Sequence, residues 1–505
     1  MGPAGKSGGS NLFRHWRQLT ARLARVRVGG GVAAGKPFAD EPPLRAELFS
    51  IDQMRQHGVR LASAHRLTPG RVPDQLLSRL AANERVLVET RNLLATAVAA
   101  KHRIEPAGEW LLDNFYLIEE QIRTARRHLP KGYSRELPSL AEGASAGLPR
   151  VYGIALETIS HGDGRVDPGG LSGFVAAYQT VAALRLGELW AIPIMLRLAL
   201  IENLRRVAVR IAAGRLDRDM AAGWARQLTE VAREDPKNLI LVIADMARSK
   251  PPMTAPFVSE FARRLQGQSP ALALPLTWIE QQLAESGLSI EQLVRSGNQQ
   301  QAADQVSISN SIGSLRSLGT MDWREFVEAM SVVEQTLRTD PGAAYVAMDF
   351  ASRDRYRHVI EEVARVSGLS EDAIASRAIE LARGGAAREG GADRTAHVGY
   401  YLIDQGRLEL EGTTQARLPL ATRLRRAARR SPLLLYLGAI TLLTVLLAGS
   451  LLAVARTDGL ASWALVPLGV LALLAASQLA VTLVNWLATL LASPHPLPRL
   501  DFSAG

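Results

Sequence analysis

Most of the chain places its hydrophobic residues at the spacing of amphipathic helices. Two series of apolar residues each fall on one helical face: Leu76, Leu80, Leu87 and Leu94, then Leu111, Phe115, Ile118 and Ile122. Alternating patterns typical of β-strands are scarce, and the best candidate strand is 397–410 (HVGYYLIDQGRLEL). The pattern predicts a mainly α, multi-helix domain over residues 44–410. Clusters of Pro and Gly mark candidate subdivisions near residue 250 and at a linker or exposed loop, 384–394.

Two long apolar runs follow this domain. Residues 433–454 form 22 uncharged positions, and a helix of that length spans about 33 Å, enough for a bilayer core. The turn Arg456–Gly459 separates this run from residues 460–491, which carry no charge either. We therefore predict a two-helix transmembrane hairpin. Two buried helices of a soluble domain are the alternative, although uncharged runs of this length are rare in soluble folds.

Two other features bear on how the apolar segments pack. Leu189–Ile201 is only 13 residues long and contains Arg197, which favours a helix buried in the soluble body over a membrane span. In the second apolar run, Gln478 and Asn485 lie seven residues apart and so share a helical face. Because polar groups in lipid seek partners, we expect this face to pack against another membrane helix.

The net charge of +10 over 505 residues is unevenly distributed. Seven basic and no acidic residues lie in 1–39, and six basic and no acidic residues lie in 412–432. These thirteen positive charges exceed the net charge of +10 by three, so the rest of the chain carries a net charge of −3. A nucleic-acid-binding domain more often spreads basic residues over a folded face. The charge pattern therefore argues against a nucleic-acid partner.

The basic segments instead indicate how the chain is oriented at a lipid bilayer. Five arginines in 423–430 precede the first apolar run, within a basic juxtamembrane segment, 411–432. Positive charge beside a span stays cytoplasmic. We expect residues 1–430 and the tail 492–505 to lie in the cytoplasm, and the turn Arg456–Gly459 to lie on the other side of the membrane.

The first 43 residues are predicted to form a flexible, basic arm rich in Gly and Pro. Within it, Asn11–Val28 has no continuous hydrophobic stretch of the kind found in a signal peptide. Two interpretations stay open for this stretch: an amphipathic helix resting on anionic lipid, or a solvated arm. The whole chain lacks cysteine, which excludes disulfides, thiolate zinc sites and a cysteine nucleophile.

Two glycine-containing motifs resemble catalytic loops but lack the required context. Gly30–Lys36 (GGVAAGK) has the spacing of a phosphate-binding loop, yet Pro37 stands where Ser or Thr would bind magnesium. Gly143–Gly147 (GASAG) matches the G-x-S-x-G elbow of hydrolases, which needs a strand before it and a helix after it. Pro138 and Pro149 flank this motif in loop-like sequence. Neither motif is predicted to be catalytic.

Acidic residues form two further candidates. Asp217-Arg218-Asp219 is a D-x-D, a pair that holds a metal in many sugar-nucleotide transferases. We expect it to open a helix, where acids cap the positive end of the dipole. The segment His161-Gly-Asp163-Gly-Arg-Val-Asp167 could form a polar site, although a turn explains the same composition. The nine histidines show no H-E-x-x-H spacing, and we assign no catalytic, cofactor-binding or metal-binding residue.

A longer segment, 109–140 (EWLLDNFYLIEEQIRTARRHLPKGYSRELPSL), closely resembles the N-terminal region of bacterial cyclic β-1,2-glucan synthases. Further similar segments follow along the chain: 149–167 (PRVYGIALETISHGDGRVD), 187–206 (GELWAIPIMLRLALIENLRR), 292–341, 349–365 (DFASRDRYRHVIEEVAR) and 396–407 (AHVGYYLIDQGR). The resemblance covers residues 45–410. It also places the two apolar runs where that family has its first membrane spans.

The resemblance implies a very large inner-membrane enzyme. Its members polymerise glucose from UDP-glucose in a membrane-embedded glucosyltransferase domain, which would use a divalent metal, and glycoside-processing domains trim and cyclise the product. In that family the transferase domain follows the first membrane hairpin, whereas this sequence stops at Gly505. We therefore expect the donor site, metal-binding acids and chain carrier to be missing here, and no cofactor in this chain. The absence of a Q-x-x-R-W signature agrees with this expectation.

Three functional hypotheses remain at this point. The first is a scaffold and membrane anchor for the transferase and processing domains of a cyclic β-1,2-glucan synthase, in a truncated or split chain. The second is an independent membrane-anchored adaptor without enzymatic activity. The third is a complete enzyme built on His161, Asp163 and Asp167.

Overall fold

The protein is described by a computed structural model covering residues 41–70, 72–391, 393–416, 432–491 and 498–500. Within these ranges the chain is helical, and its β-structure is limited to isolated bridges. The mainly α fold class is therefore confirmed. The chain divides into two compact units, Met1–Ser331 and Val332–Gly505.

The first unit is built from twelve α-helices in its described part. They are α1 (Ile51–Ala64), α2 (Leu76–Ala99), α3 (Pro106–Asp113), α4 (Phe115–His128), α5 (Arg150–His161), α6 (Pro168–Gln179), α7 (Leu186–Glu234), α8 (Leu239–Ser249), α9 (Ala255–Leu265), α10 (Ala273–Ala284), α11 (Ile290–Ser317) and α12 (Trp323–Met330). The first predicted apolar series lies on α2, and the second runs over α3 and α4. All of their members are buried, because each series occupies one face of its helices.

The long helix α7 forms the axis of this unit. Its 49 residues correspond to about 74 Å of helix. Eleven of the 13 residues in Leu189–Ile201 are buried, which confirms the prediction of a helix inside the soluble body. Arg197 is among them, and its Nε donates to Gln121 Oε1 on α4 at 2.7 Å. The buried guanidinium is thus hydrogen-bonded to a neutral side chain within the protein, and burial lowers the pKa of Arg197.

The two ends of α7 belong to different hydrophobic cores. Its N-terminal part packs with α1 to α6, α11 and α12, and its C-terminal part packs with α8, α9 and α10. The second core centres on Phe257 and Phe261 of α9, which are fully buried against Ala225 and Leu228 of α7. Small residues on α7 allow the aromatic helix to approach closely. One continuous helix therefore supports both cores of the first unit.

The second unit contains a small helical core and an apolar hairpin. Its described helices are α13 (Val332–Leu337), α14 (Phe350–Ser367), α15 (Glu371–Glu389), α16 (Val398–Ile403), α17 (Arg407–Thr413), α18 (Pro432–Thr457) and α19 (Ser462–Leu491). The small core lies among α13 to α17. Because α15 continues to Glu389, the predicted linker at 384–394 is wrong for its first six residues.

The predicted strand at 397–410 is also wrong, since these residues form α16 and most of α17. Val398, Tyr401 and Leu402 are buried at positions i, i+3 and i+4, which is a helical face. Asp340 accepts from the backbone N–H of Val398 at 2.8 Å, and this contact holds the start of α16. A short β-branched and aromatic run fits a strand or a helix equally well by pattern alone, and its packing partners decide.

The apolar hairpin, defined as α18 and α19, matches both predicted runs. Each helix is long and apolar enough to cross a membrane. Ala448 of α18 packs against Ala472 and Ala476 of α19, so small residues bring the two backbones close together. Tyr436 donates to Asn485 Oδ1 at 2.7 Å, which gives Asn485 the expected partner on a neighbouring apolar helix.

Residues that follow the hairpin contact the helical part of the second unit. Met348 and Leu500 form an isolated antiparallel bridge. The N–H of Asp349 donates to Arg499 O at 3.0 Å, and the N–H of Arg499 donates to Ser352 Oγ at 2.9 Å. The chain after α19 therefore contacts the beginning of α14. The 423–430 arginines, the first 40 residues and most of the tail lie outside the described residues.

The alanine contact predicts a specific cross-link in this cysteine-free chain. The double variant Ala448→Cys with Ala476→Cys should react efficiently with a short bifunctional thiol reagent in membranes, because both positions face the helix interface. The matched control replaces Ala476→Cys by Leu474→Cys, at a position that is 62% exposed on the same helix. Gel mobility after unfolding reports the cross-link. Equal yields from the two pairs would contradict the packing of α18 on α19.

Candidate functional site

A buried charge network surrounds Glu202 in the middle of α7. Its carboxylate has no exposed surface and accepts from Arg79 Nε of α2 at 2.6 Å and Arg206 Nη2 at 2.6 Å. The hydroxyl of Tyr152, on α5, donates to the same carboxylate at 2.5 Å. We call Arg79, Tyr152, Glu202 and Arg206 the Glu202 network. It joins three helices through one charged group.

The network sets the protonation state of its own members. Burial opposes ionisation of Glu202, but the hydrogen bonds and positive charges of Arg79 and Arg206 outweigh it, so the pKa of Glu202 lies well below its usual value. Burial, and then the negative charge of Glu202, raise the pKa of Tyr152. Glu202 is therefore ionised and Tyr152 neutral at physiological pH. This is the charge arrangement that the hydrogen bonds require.

Two further buried polar contacts flank this network on α7. Arg150 donates through Nε and Nη2 to the two carboxylate oxygens of Glu188, each at 2.6 Å, and the pair is nearly inaccessible to water. Asn203 donates from Nδ2 to Ser307 Oγ and Ser311 Oγ of α11, each at 3.0 Å. Both contacts satisfy polar groups that would be costly to bury alone.

The segment 41–49, which has no regular secondary structure, lies against α7 beside the Glu202 network. Arg205, whose side chain has no exposed surface, donates to Glu41 Oε2 at 2.5 Å. The N–H of Leu44 donates to Asn203 Oδ1 at 3.1 Å, and Arg206 donates to the carbonyl of Pro42 at 3.0 Å. Residues 41–43, which the sequence assigns to the arm, are therefore anchored to the first unit.

A second cluster contains His57, Glu157 and His161, and we call it the His57 cluster. His57 lies on α1, which begins with a capping box between Ser50 and Gln53. Glu157 and His161 are four residues apart on α5, so they share one face of that helix. Helix α1 packs mainly on α6, but the His57 side chain reaches this face of α5. One potential ligand atom from each of the three side chains lies within 4.8 Å of the others.

Hydrogen bonds and rings orient this cluster. His57 Nε2 lies 2.8 Å and His161 Nε2 lies 3.3 Å from Glu157 Oε2. His161 Nδ1 lies 2.7 Å from the carbonyl oxygen of Glu47, which can only accept, so Nδ1 carries the proton. Phe49 stacks on the His161 ring with centroids 3.8 Å apart. The imidazoles are thus held by the segment 41–49 and by α5.

The predicted polar turn at 161–167 is present, but its residues do not converge on one site. Asp167 accepts from the N–H of Gly170 at 2.7 Å and caps α6. Asp163 is buried and accepts from Arg45 at 2.7 Å. Gly164 has φ of +80°, and a Cβ there would stand 2.4 Å from Ser311 Oγ of α11. The turn is therefore a close-packed connection between helices.

The D-x-D motif lies inside α7 rather than at a helix start, so the expected capping role is wrong. The helix begins 31 residues earlier, at Leu186. Thr254 donates to Asp217 Oδ2 at 2.7 Å, whereas Asp219 pairs with Arg215. Residues i and i+2 of a helix point in different directions, so these two carboxylates do not share one ligand.

The two glycine motifs have different outcomes. Gly143–Gly147 forms turns, with positive φ at both glycines and no strand before it in this described stretch. It therefore lacks the strand–turn–helix context of a nucleophile elbow. Gly30–Lys36 lies outside the described residues.

The second unit has its own buried ion pair, near residues 334–357. Glu334 and Arg357 have no exposed side-chain surface, and Arg357 Nη1 donates to Glu334 Oε2 at 2.8 Å. Tyr345 donates to the same oxygen at 2.6 Å. This core is therefore also organised around a neutralised carboxylate, that of Glu334. Nearby, burial and then the negative charge of Asp340 raise the pKa of Tyr356 to about 12.

Together, these features define a protein that is mainly α-helical over its described residues, with ion pairs buried in its core and a candidate membrane hairpin. The chain is 32% identical over 466 residues to the cyclic beta-(1,2)-glucan synthase NdvB of Rhizobium meliloti (strain 1021). These residues are 92% of this chain and 16% of that protein, so the chain spans about a sixth of the relative's length. The resemblance found in the sequence is confirmed. The chain matches no protein-family model.

Sequence patterns alone missed the His57 cluster. His57 lies 100 residues before Glu157 along the chain, so no local spacing connects them. The only local signal is the four-residue interval between Glu157 and His161 on a helical stretch. The Glu202 network was missed for the same reason, because Arg79 is 123 residues from Glu202.

The Glu202 network predicts a large loss of stability on Glu202→Gln. The variant removes the fully buried carboxylate charge that faces Arg79 and Arg206, whose side chains are 20% and 14% exposed. Removing one partner of a buried pair costs about 3–5 kcal/mol. The matched control is Glu84→Gln, which removes a half-exposed ion pair with Arg126 and should cost less than about 1 kcal/mol. Urea unfolding of the purified full chain measures both. Equal losses would contradict the role of the network.

The same network predicts an acid-sensitive contribution to stability. Because folding lowers the pKa of Glu202 below its usual 4.5, the ionised carboxylate stabilises the fold fully above that pH. Its contribution is lost as the pH falls from 4.5 towards the folded pKa. The stability difference between wild type and Glu202→Gln should therefore shrink in this acid range. A difference that stays constant from pH 7 downwards would contradict a lowered pKa.

Proposed function

We propose that this chain forms the N-terminal scaffold and membrane-anchor region of a cyclic β-1,2-glucan synthase. The observation that carries the proposal is its 32% identity, over 92% of its length, to the Rhizobium meliloti synthase. In this role the helical units and the hairpin position the glucosyltransferase and glycoside-processing domains at the membrane. Those domains, UDP-glucose and a divalent metal would act outside the chain described here.

The location of the buried polar groups supports a scaffold role. Several segments that carry the resemblance supply the charged interior, including Arg150, Glu188, Glu202 and Arg357. Each of these side chains pairs with another side chain of its own unit. Side chains that are already paired in this way hold helices together and do not bind a sugar donor. The similarity is thus best explained by a shared fold in this region.

The hairpin supports an anchoring role. It provides two apolar helices that match a bilayer in length, and the contact of Leu500 with Met348 returns the chain after α19 to the helical part of the second unit. A pair of crossings leaves both flanks on one side of a membrane. We propose that this side is the cytoplasm, because the arginines at 423–430 precede the first helix.

A chimeric synthase tests the proposal. In a bacterium whose only synthase lacks the region similar to this chain, that region is replaced by the full chain. We expect cyclic β-1,2-glucan synthesis to be restored, because the chain would seat the transferase and processing domains correctly. Extraction and mass analysis of the glucan measure the outcome. The matched control is a chimera with Glu202→Gln, which should restore less glucan in proportion to its lower folded fraction.

Two outcomes would contradict the proposal. A chimera that is inserted in the membrane and folded, but makes no glucan, would favour an independent adaptor. Steady glucan production by the purified chain alone, with UDP-glucose and Mg²⁺ in detergent, would show that it is itself a glucosyltransferase and not only a scaffold.

A further inference from the structure

We propose that the His57 cluster binds a divalent transition-metal ion of the zinc class through His57 Nε2, Glu157 Oε2 and His161 Nε2. The proposal concerns a site in the first unit and does not depend on the glucan synthase role. It begins from the convergence of two imidazoles and one carboxylate from α1 and α5, whose ligand atoms lie within 4.8 Å of one another.

The distances within the cluster suit a small metal ion. Ligands about 2.05 Å from a tetrahedral zinc ion stand roughly 3.3 Å apart. Glu157 Oε2 is already 3.3 Å from His161 Nε2 and 2.8 Å from His57 Nε2. All three potential ligand atoms lie within 4.8 Å of one another, so rotation of His57 and Glu157 would have to bring the remaining pair to about 3.3 Å. Glu157 retains 35% side-chain exposure, which leaves water access for a fourth ligand.

The tautomer of His161 is the second argument. Its Nδ1 donates to the carbonyl of Glu47, so the neutral ring offers Nε2 as a free electron pair. Metal-binding histidines commonly hold their other nitrogen on a backbone carbonyl in this way. Phe49, stacked on the ring, further restricts its orientation. The imidazole is thus fixed before any ion binds.

The third argument is the short distance between two acceptor atoms, His161 Nε2 and Glu157 Oε2. In its neutral form, His161 Nε2 is an acceptor, and it lies 3.3 Å from a carboxylate oxygen that is also an acceptor. Such an approach is unfavourable unless a cation lies on or between the two atoms. A metal ion satisfies both of them together with His57 Nε2, once the neutral His57 ring carries its proton on Nδ1. A proton on His161 is the competing explanation.

The donor set selects the class of ion. Two imidazole nitrogens and one carboxylate oxygen suit zinc, cobalt and neighbouring transition metals, whereas magnesium and calcium prefer oxygen ligands alone. Three protein ligands leave an open position, which in zinc sites is filled by water. A bound ion would also link α1 to α5, because its ligands come from both helices.

Metal titration of the full chain tests the proposal. The purified protein, with its affinity tag removed and treated with a chelator, is titrated with Zn²⁺ by calorimetry and with Co²⁺ by visible absorption. We expect one ion per chain and the intense absorption bands of four-coordinate Co²⁺. Bound Zn²⁺ should also raise the unfolding temperature, since it binds only the folded site. Glu157→Gln and His57→Ala should each weaken binding by about 100-fold or more, which exceeds typical losses from supporting residues.

The control variant is His128→Ala, which removes an exposed histidine at the end of α4 and should bind Zn²⁺ as the wild type does. Far-UV circular dichroism checks that each variant is folded without metal, and Glu157→Gln preserves side-chain size if His57→Ala does not fold. Unchanged Zn²⁺ affinity in folded Glu157→Gln would overturn the proposal. So would a wild type that takes up no stoichiometric metal, which would leave a proton on His161 as the explanation.

Discussion

A carboxylate without exposed surface must be neutralised where it lies, and in this protein that constraint falls on Glu202. Arg79 from α2, Tyr152 from α5 and Arg206 from α7 all meet there. An apolar core would tolerate several arrangements of these helices, whereas the hydrogen-bonded charge tolerates few. The neighbouring contacts of Arg205 and Asn203 extend the same constraint to the segment 41–49 and to α11.

Local pattern was enough to predict the helical class, the buried faces of α2 to α4, the buried start of α7 and the apolar hairpin. Each depends on a periodicity within one element. The errors have an equally local origin. The acids at 217 and 219 resembled a helix start because Thr254, the partner of Asp217, lies 37 residues further along the chain. The four-residue interval between Arg215 and Asp219 is instead typical of a helix interior. Residues 397–410 resembled a strand because a short apolar run fits both structures.

The candidate sites could not be predicted in the same way, since they are assembled over long distances in sequence. His57 meets Glu157 across 100 residues, and the Glu334 pair depends on Arg357 from another helix. The resemblance to the synthases reached further than any motif because it spans many such contacts at once. It covers 92% of this chain and 16% of the relative.

The length of α7 has a consequence for how the first unit unfolds. A helix of about 74 Å that supplies one wall of two cores cannot unravel at one end without exposing apolar surface of the adjoining core. The two cores should therefore behave as one cooperative folding block, with nearly uniform hydrogen-exchange protection along the backbone of α7. A protein with separate helices at these positions would instead open in two independent steps.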